Sequence, residues 1–294
     1  ISEIADAYYE LLALDSELVI VRQNTELQKD ALRIVKTQKD AARVNELAVR
    51  RFEAQLLHTQ RLQFDIQQKI TETENQINFL VGRYPQPIAR KEGAFEQLVP
   101  ASVQSGIPAQ LLANRPDIKQ AELELTAAKL DVKVAKAMFY PSVGITAGIG
   151  YRAFNPSFLL KPESLLYTLA GDLAAPLINR NALKASYYSA NAKQLQAVFN
   201  YERTILNAYV EVANQLSKLD NLEKSYGLKA REVEALTQSV TISKDLFASA
   251  RADYMEVLLT QREALESRFE LIETKKEQMS ARVRVYRALG GGWQ

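Results

Sequence analysis

The chain has 294 residues, 47% of them hydrophobic, and its 37 basic and 35 acidic residues leave a net charge of +2. This balance, with no basic run carrying interleaved aromatics, argues against nucleic-acid binding. The absence of cysteine excludes a disulfide framework and a thiol nucleophile. No apolar run reaches the roughly eighteen residues of a membrane-spanning helix, so none is predicted.

Two long amphipathic helices are predicted at the start of the chain. Residues 2 to about 40 lack Gly and Pro, and their apolar positions recur at three- and four-residue steps. A similar pattern runs from about Glu46 to Val81. At 1.5 Å per residue, each helix would be on the order of 50–60 Å long. Gly82 ends the second helix as a C′ glycine, and Pro85 follows it.

The next stretch, residues 83–116, is broken by Pro and Gly and predicts a linker with a short helix near Ala109–Ala113. Asp117 is the expected N-cap of a helix running to about Phe139.

Two runs of alternating residues follow that helix. From Val143 to Tyr151 every second residue is apolar or small, and a second such run extends from Tyr167 to Leu177. The polar, Pro-bearing loop between them predicts a β-hairpin. Each run is about as long as the ~9–11 residues of a tilted strand that crosses a bilayer. A hairpin packed on helices in water is the alternative.

After Asn179 a helical pattern continues to about Ala248, with only Gly227 inside it. A helix of about 70 residues would approach 100 Å, a length typical of coiled coils, tunnels and stalks rather than of a compact core.

The chain also contains an internal repeat with an offset of 208 residues. Without a gap, Glu3-Ile4-Ala5-Asp6 aligns with Glu211-Val212-Ala213-Asn214, and Gly82 aligns with Gly290. A period this long indicates duplication of a whole half. The piece from Arg115 to Tyr209 has no counterpart before Ile1. We therefore expect the natural chain to be longer at its start, with a second hairpin there.

Five short motifs occur in a fixed order: RPDI, FYPS, APL, YMEVL and ALGGGW. With the residues around them, they resemble the TolC-like outer-membrane factors, in particular those serving RND-type multidrug pumps. The resemblance covers essentially the whole chain. It implies a mainly α fold with a transmembrane β-hairpin, assembled as a homotrimeric tube with an α-barrel and a β-barrel. Because each family protomer gives four strands and this chain has one hairpin, the resemblance also supports truncation.

The resemblance implies a division of the chain into functional parts. Residues 1–82 would be a periplasmic helical hairpin of the first repeat, and residues 83–116 an equatorial linker. The parts that would follow are the long helices of the second repeat (117–140 and 178–290), the outer-membrane hairpin (141–177) and a tail (291–294).

The implied function is a passive exit duct in the Gram-negative outer membrane, extending into the periplasm. Its implied partners are outer-membrane lipid, a periplasmic adaptor protein and an inner-membrane RND transporter. The alternatives are a soluble coiled-coil scaffold and an outer-membrane factor for type I protein secretion or metal efflux. An N-terminal lipid-bearing cysteine would lie upstream of Ile1.

The two faces of the hairpin receive different assignments. Small and polar residues on one face are assigned to the lumen, and the reverse orientation is the alternative. The residues assigned to lipid are Val143, Ile145, Ile149 and Tyr151.

The turns between paired helices are the expected docking tips for the adaptor. Family members usually carry Gly followed by an apolar residue at these turns, whereas this chain has Ala-Arg at both. Since alanine tolerates a positive φ less well than glycine, either the turn stays helix-like or docking differs in detail. The tip residues are Ala42, Arg43, Val44, Asn45, Ala250, Arg251, Ala252 and Asp253.

The family's periplasmic gate lies just beyond the second tip, where this chain reads YMEVLLTQ. The candidates are Met255, Glu256 and Leu259, and an apolar ring of three copies could close by dewetting. Ordinary helix packing is the alternative.

No catalytic, cofactor-binding or metal-binding constellation is predicted, so we expect the protein not to be an enzyme. His58 is the single histidine, and it has no second ligand nearby in sequence. Glu122 and Glu124 would face different sides of a helix, so they do not form an acid–base pair.

Overall fold

The structure, a computed structural model, describes residues 1–90, 93, 95, 115–175, 178, 180–249 and 251–291. The chain divides into two compact units. The first comprises Ile1–Asn114 together with Ala208–Gln294, and the second is Arg115–Asn207. The elements in chain order are α1 (Ser2–Asp40), α2 (Glu46–Val81), α3 (Pro116–Ala137), β1 (Ser142–Tyr151), β2 (Leu165–Ala174), α4 (Arg180–Ala248) and α5 (Tyr254–Ala288).

The core of the first unit lies where α1 packs against α2 and α5. One cluster joins Leu11, Leu14 and Val21 of α1 to Ile66 and Ile70 of α2. Leu11 and Val21 are fully buried. Because each such side chain contributes about 1.5–3 kcal/mol on burial, the amphipathic pattern of α1 is sufficient to fix its inner face.

A second cluster lies close to the ends of the helices. It packs Phe52 of α2 against Val35 of α1 and Val257 of α5, all at most 2% exposed. Phe247 of α4 contacts the same cluster. Four helices therefore meet at the base of the two turns that join α1 to α2 and α4 to α5.

The C-terminal ends of α2 and α5 are capped in the same way. At Gly82 the backbone has φ 73°, and the N–H groups of Gly82 and Arg83 donate to the carbonyls of Phe79 and Asn78. Gly290 has φ 83° and the same pair of bonds. This is the Schellman C-cap, which satisfies carbonyls that the helix leaves without a partner.

The 208-residue repeat is confirmed by the positions of the helix ends. α1 ends at Asp40 and α4 at Ala248, whereas α2 begins at Glu46 and α5 at Tyr254. The left-handed glycines at the ends of α2 and α5 have the same offset. The α1–α2 and α4–α5 hairpins thus share the same helix boundaries at the turn, offset by 208 residues.

In the second unit β1 and β2 form an antiparallel hairpin. Val143 lies opposite Leu173, and Ile149 lies opposite Tyr167. Residues directly opposite each other share a face, so most of the large apolar residues of both strands lie on one side, and Leu166 lies on the other. The connecting loop contains two 3₁₀ turns, Pro156–Phe158 and Pro162–Ser164.

Several predicted boundaries need correction. α3 begins at Pro116 with Arg115 as its N-cap, because proline fits the first turn of a helix. Asp117 therefore lies inside the helix, where its carboxylate pairs with Arg115 at 2.8 Å, and α3 ends at Ala137. β2 begins at Leu165 and ends at Ala174. Leu177 and the predicted short helix at 109–113 lie outside the described residues.

Within the described part of the chain, no helix combines the length and apolar character needed to cross a membrane.

Candidate functional site

The first tip, the turn from α1 to α2, has a left-handed backbone at an alanine. Ala42 has φ 56° and is the one non-glycine residue with positive φ in the described residues. The N–H groups of Ala42 and Arg43 donate to the carbonyls of Lys39 and Gln38 at 2.8 and 2.9 Å, which is the bonding of a Schellman cap. Of the two alternatives for this turn, the helix-like backbone is therefore excluded at Ala42.

The start of α2 closes this tip. Asn45 has extended backbone, and its side-chain oxygen accepts from the N–H of Ala48 at 3.1 Å. Lys39, at the end of α1, reaches across the turn to Glu46 at 2.5 Å. The bond from Lys39 lowers the pKa of the Glu46 carboxyl. Backbone and side-chain bonds together hold the two helices in register.

The second tip is the turn from α4 to α5, and its described part has the same backbone bond as the first tip. The N–H of Arg251 donates to the carbonyl of Leu246 at 2.8 Å, the same bond that Arg43 makes. Asp253 is the extended N-cap of α5, but its side chain makes no capping bond. Ala250 lies outside the described residues.

A cavity of about 530 Å³ lies between the two tips. It brings together six of the eight residues that the sequence assigned to docking, including Arg43 and Asp253. Phe247 and Tyr254 add aromatic surface to its wall. Val44, Phe247 and Tyr254 of this cavity also pack against the buried cluster of Phe52 and Val257, so the apolar part of its wall is continuous with the core.

The gate candidates occupy the exposed side of α5. Met255 and Leu259, four residues apart, lie on the same helix face, and both are exposed, as is Glu256. The Sδ atom of Met255 accepts from Nη1 of Arg51 at 3.1 Å. Val257 points the other way and is buried. All three gate candidates are thus exposed on α5, and Met255 also contacts α2 through Arg51.

The strand residues assigned to lipid are exposed along one face of the hairpin. Val143, Ile145 and Ile149 are between 72% and 80% exposed. On the opposite face, the carboxylate of Asp172 lies directly over Gly144, where an added Cβ would approach to 2.5 Å. One face thus carries most of the large apolar residues, and the other is lined mainly by small residues, with Asp172 and Leu166 among them.

Two charged sites in the first unit were not predicted from sequence. Arg90 binds Asp15 of α1 and Glu74 of α2. Glu17 of α1 lies close to Glu10, Glu273 and Lys276, and burial raises the pKa of its carboxyl to about 7. Their partners lie far away in the chain, so no local motif marks them.

His58, Glu122 and Glu124, which the sequence does not predict to be catalytic or metal-binding residues, are exposed. No cluster of three or more potential metal ligands occurs within the described ranges.

Long helices joined through capped turns and one two-faced β-hairpin characterise the described part of the chain. The chain belongs to the outer membrane efflux protein family, which matches residues 107–291. It is therefore a protein of the outer membrane.

The relatives agree with this assignment. The chain is 28% identical to the pyoverdine export outer membrane protein OpmQ of Pseudomonas aeruginosa, over 100% of its own length and 62% of OpmQ. It is 26% identical to the cation efflux system protein CusC of Escherichia coli, covering 64% of that protein. The chain thus spans less than two thirds of these relatives.

Solved channels share the fold. The outer-membrane channel OprN superimposes with a TM-score of 0.87 at 26% identity, over 99% of this chain and 66% of OprN. A crystal structure of CusC gives a TM-score of 0.89 at 26% identity, over 99% of this chain and 68% of CusC. The TolC-like fold expected from the sequence is therefore confirmed.

Proposed function

We propose that the complete protein is a passive exit duct of a tripartite efflux system. Three copies would form one tube, docked on a periplasmic adaptor and supplied by an inner-membrane RND transporter. The relatives OpmQ, CusC and the solvent efflux pump protein SrpC are named for export or efflux, which supports a transport role.

The hairpin is the observation that carries this proposal. Its register is consistent with this role, because most of the large apolar residues of both strands share one exposed face and mainly small residues line the other. A bilayer stabilises the first face, whereas water in a lumen suits the second. In a soluble coiled-coil scaffold the apolar face of the hairpin would remain exposed to water, which is unfavourable.

The tips and the gate take roles consistent with this duct. The cavity between the tips, with the exposed Arg43 in its wall, would receive the adaptor, and the exposed Arg251 of the second tip would add a further contact. Met255, Glu256 and Leu259 would face the axis, where three copies make a ring beside the tips. The residues assigned to lipid on β1 would meet the membrane.

Electron microscopy of the complete protein, extracted from outer membranes in mild detergent, tests the proposal. We expect a three-fold hollow cylinder of at least about 100 Å, because α4 alone has 69 residues at 1.5 Å each. A monomer, or a rod without a lumen, would reject the duct and return the chain to the scaffold class.

A further inference from the structure

A smaller cavity, of about 170 Å³, lies among α1, α4 and α5 in the first unit. Asn24 contributes from α1, Thr237, Thr241 and Lys244 from α4, and Gln261 and Arg268 from α5. It is separate from the cavity between the tips, and the proposed duct assigns it no role. Its polar lining residues therefore have no function in the proposed duct.

Gln261 is the anomalous residue of this cavity. Its side chain is buried, with 5% exposed, yet neither the Nε2 nor the Oε1 atom has a hydrogen-bond partner. An unpaired buried amide costs on the order of 1–3 kcal/mol, so native structures rarely contain one without a water or an ion nearby. The amide of Gln261 thus points to a polar occupant.

The charged residues around the cavity indicate that its occupant carries a negative charge. Lys244 and Arg268 line it, and none of its lining residues is acidic. Lys244 forms no ion pair with any described residue, and the one acid in the adjoining cavity, Asp30, binds Arg33 at 3.0 Å. Nη2 of Arg268 donates to Oγ1 of Thr237 at 3.1 Å, which holds the guanidinium at the wall.

We propose that this cavity binds a compact oxyanion of the phosphate or sulfate type. The space corresponds to about six water molecules, enough for one such ion with part of its hydration shell. Lys244 and Arg268 supply charge-assisted bonds, and Nε2 of the Gln261 amide supplies a neutral donor. The bound anion joins the three helices whose ends carry the tips.

The test is calorimetric titration of inorganic phosphate into the complete protein in detergent, at constant ionic strength set with sodium chloride. We expect saturable binding, and a melting temperature that rises with phosphate concentration because the ligand binds only the folded state. Lys244→Gln and Arg268→Gln should each weaken binding about tenfold or more, since each removes a charge-assisted bond.

Lys224→Gln is the matched control. Lys224 lies on the same helix, pairs with Asp220 at 2.6 Å and does not line the cavity. This variant should bind phosphate as the unaltered protein does. Equal weakening in the control would overturn the proposal, because it would indicate general attraction to a basic surface. Absence of saturable binding, with only ordered water in the cavity at high resolution, would also overturn it. Neither result bears on the three-fold tube.

Discussion

Ala42 carries a local cost that its position in the turn imposes. A left-handed backbone costs an L-residue about 1–2 kcal/mol, and glycine avoids this cost. We expect Ala42→Gly to stabilise the protein by about 0.5–1 kcal/mol, after allowing for the greater freedom of glycine in the unfolded chain. Thermal unfolding in detergent measures the effect.

Ala41→Gly is the control for this substitution. Ala41 has φ −84°, which suits any residue, so glycine there should destabilise the protein slightly. If both variants lower the melting temperature, Ala42 is not strained in solution.

Glu17 should make stability depend on pH. Burial, together with Glu10 and Glu273, raises the pKa of the folded-state carboxyl to about 7, from 4.5 in the unfolded chain, although Lys69 and Lys276 oppose the rise. The folded state then holds the proton more tightly, so stability increases as pH falls from 7 towards 4.5. Above pH 7 the ionised carboxylate is destabilising in the folded state.

Glu17→Gln should remove this dependence, because the amide does not ionise. Melting temperatures measured from pH 5 to pH 8 should place the variant above the unaltered protein at pH 8, with the difference shrinking towards pH 5. If the difference in melting temperature is constant across this pH range, the substitution acts through packing and not through ionisation of Glu17.

At the scale of elements, Arg90 fastens the segment after α2 to both helices of the first hairpin. Its guanidinium donates to Asp15, to Glu74 and to the carbonyl of Ile88. The bonds to Asp15 and Glu74 raise the pKa of Arg90. Arg90→Gln should cost about 2 kcal/mol, since it leaves two partly buried carboxylates unpaired.

Arg83→Gln is a suitable comparison, because Arg83 is exposed in the same segment and should be within about 0.5 kcal/mol of the unaltered protein. The free energy of unfolding, from denaturant titration, distinguishes the two. Equal effects would mean that the network at Arg90 contributes nothing.

The hairpin permits a test of which face meets lipid. Ile145→Arg should cost about 2–4 kcal/mol near the bilayer midplane and reduce the amount of assembled protein recovered from outer membranes. Thr146→Arg places the same charge one residue away on the other face and should assemble normally. If Thr146→Arg is the variant that fails, the lumen and lipid faces are reversed.

Periodicity predicted the elements because it is a local property of the sequence. The 3.6 and 2.0 periods gave α1, α2, α4 and the hairpin, and Gly82 marked a helix end. Composition did not reveal that alanine would adopt a glycine conformation at residue 42, since the paired helices impose it. Nor could it place Arg90 against Asp15, because contacts across 75 residues arise only from the folded packing.

For the whole molecule, the tips provide the test of assembly. Reversing the charges with Arg43→Glu and Arg251→Glu should reduce crosslinking to the adaptor and lower drug resistance, without loss of the trimer. Both arginines are exposed, so their replacement leaves the core intact.

Arg22→Glu with Lys224→Glu makes the same change of charge on exposed residues of α1 and α4, away from the tips. Crosslinking should be retained in this control. Unchanged crosslinking after reversal of Arg43 and Arg251 would exclude them as docking contacts.

The left-handed alanine also limits how this turn can change by mutation. Every alanine codon becomes a glycine codon through one substitution at its second base, whereas asparagine, which also tolerates this backbone, requires at least two. Relief of the strain at Ala42 is therefore one nucleotide away. Spontaneous variants selected for a more stable first tip should carry glycine there, and asparagine should arise only by deliberate replacement of the codon.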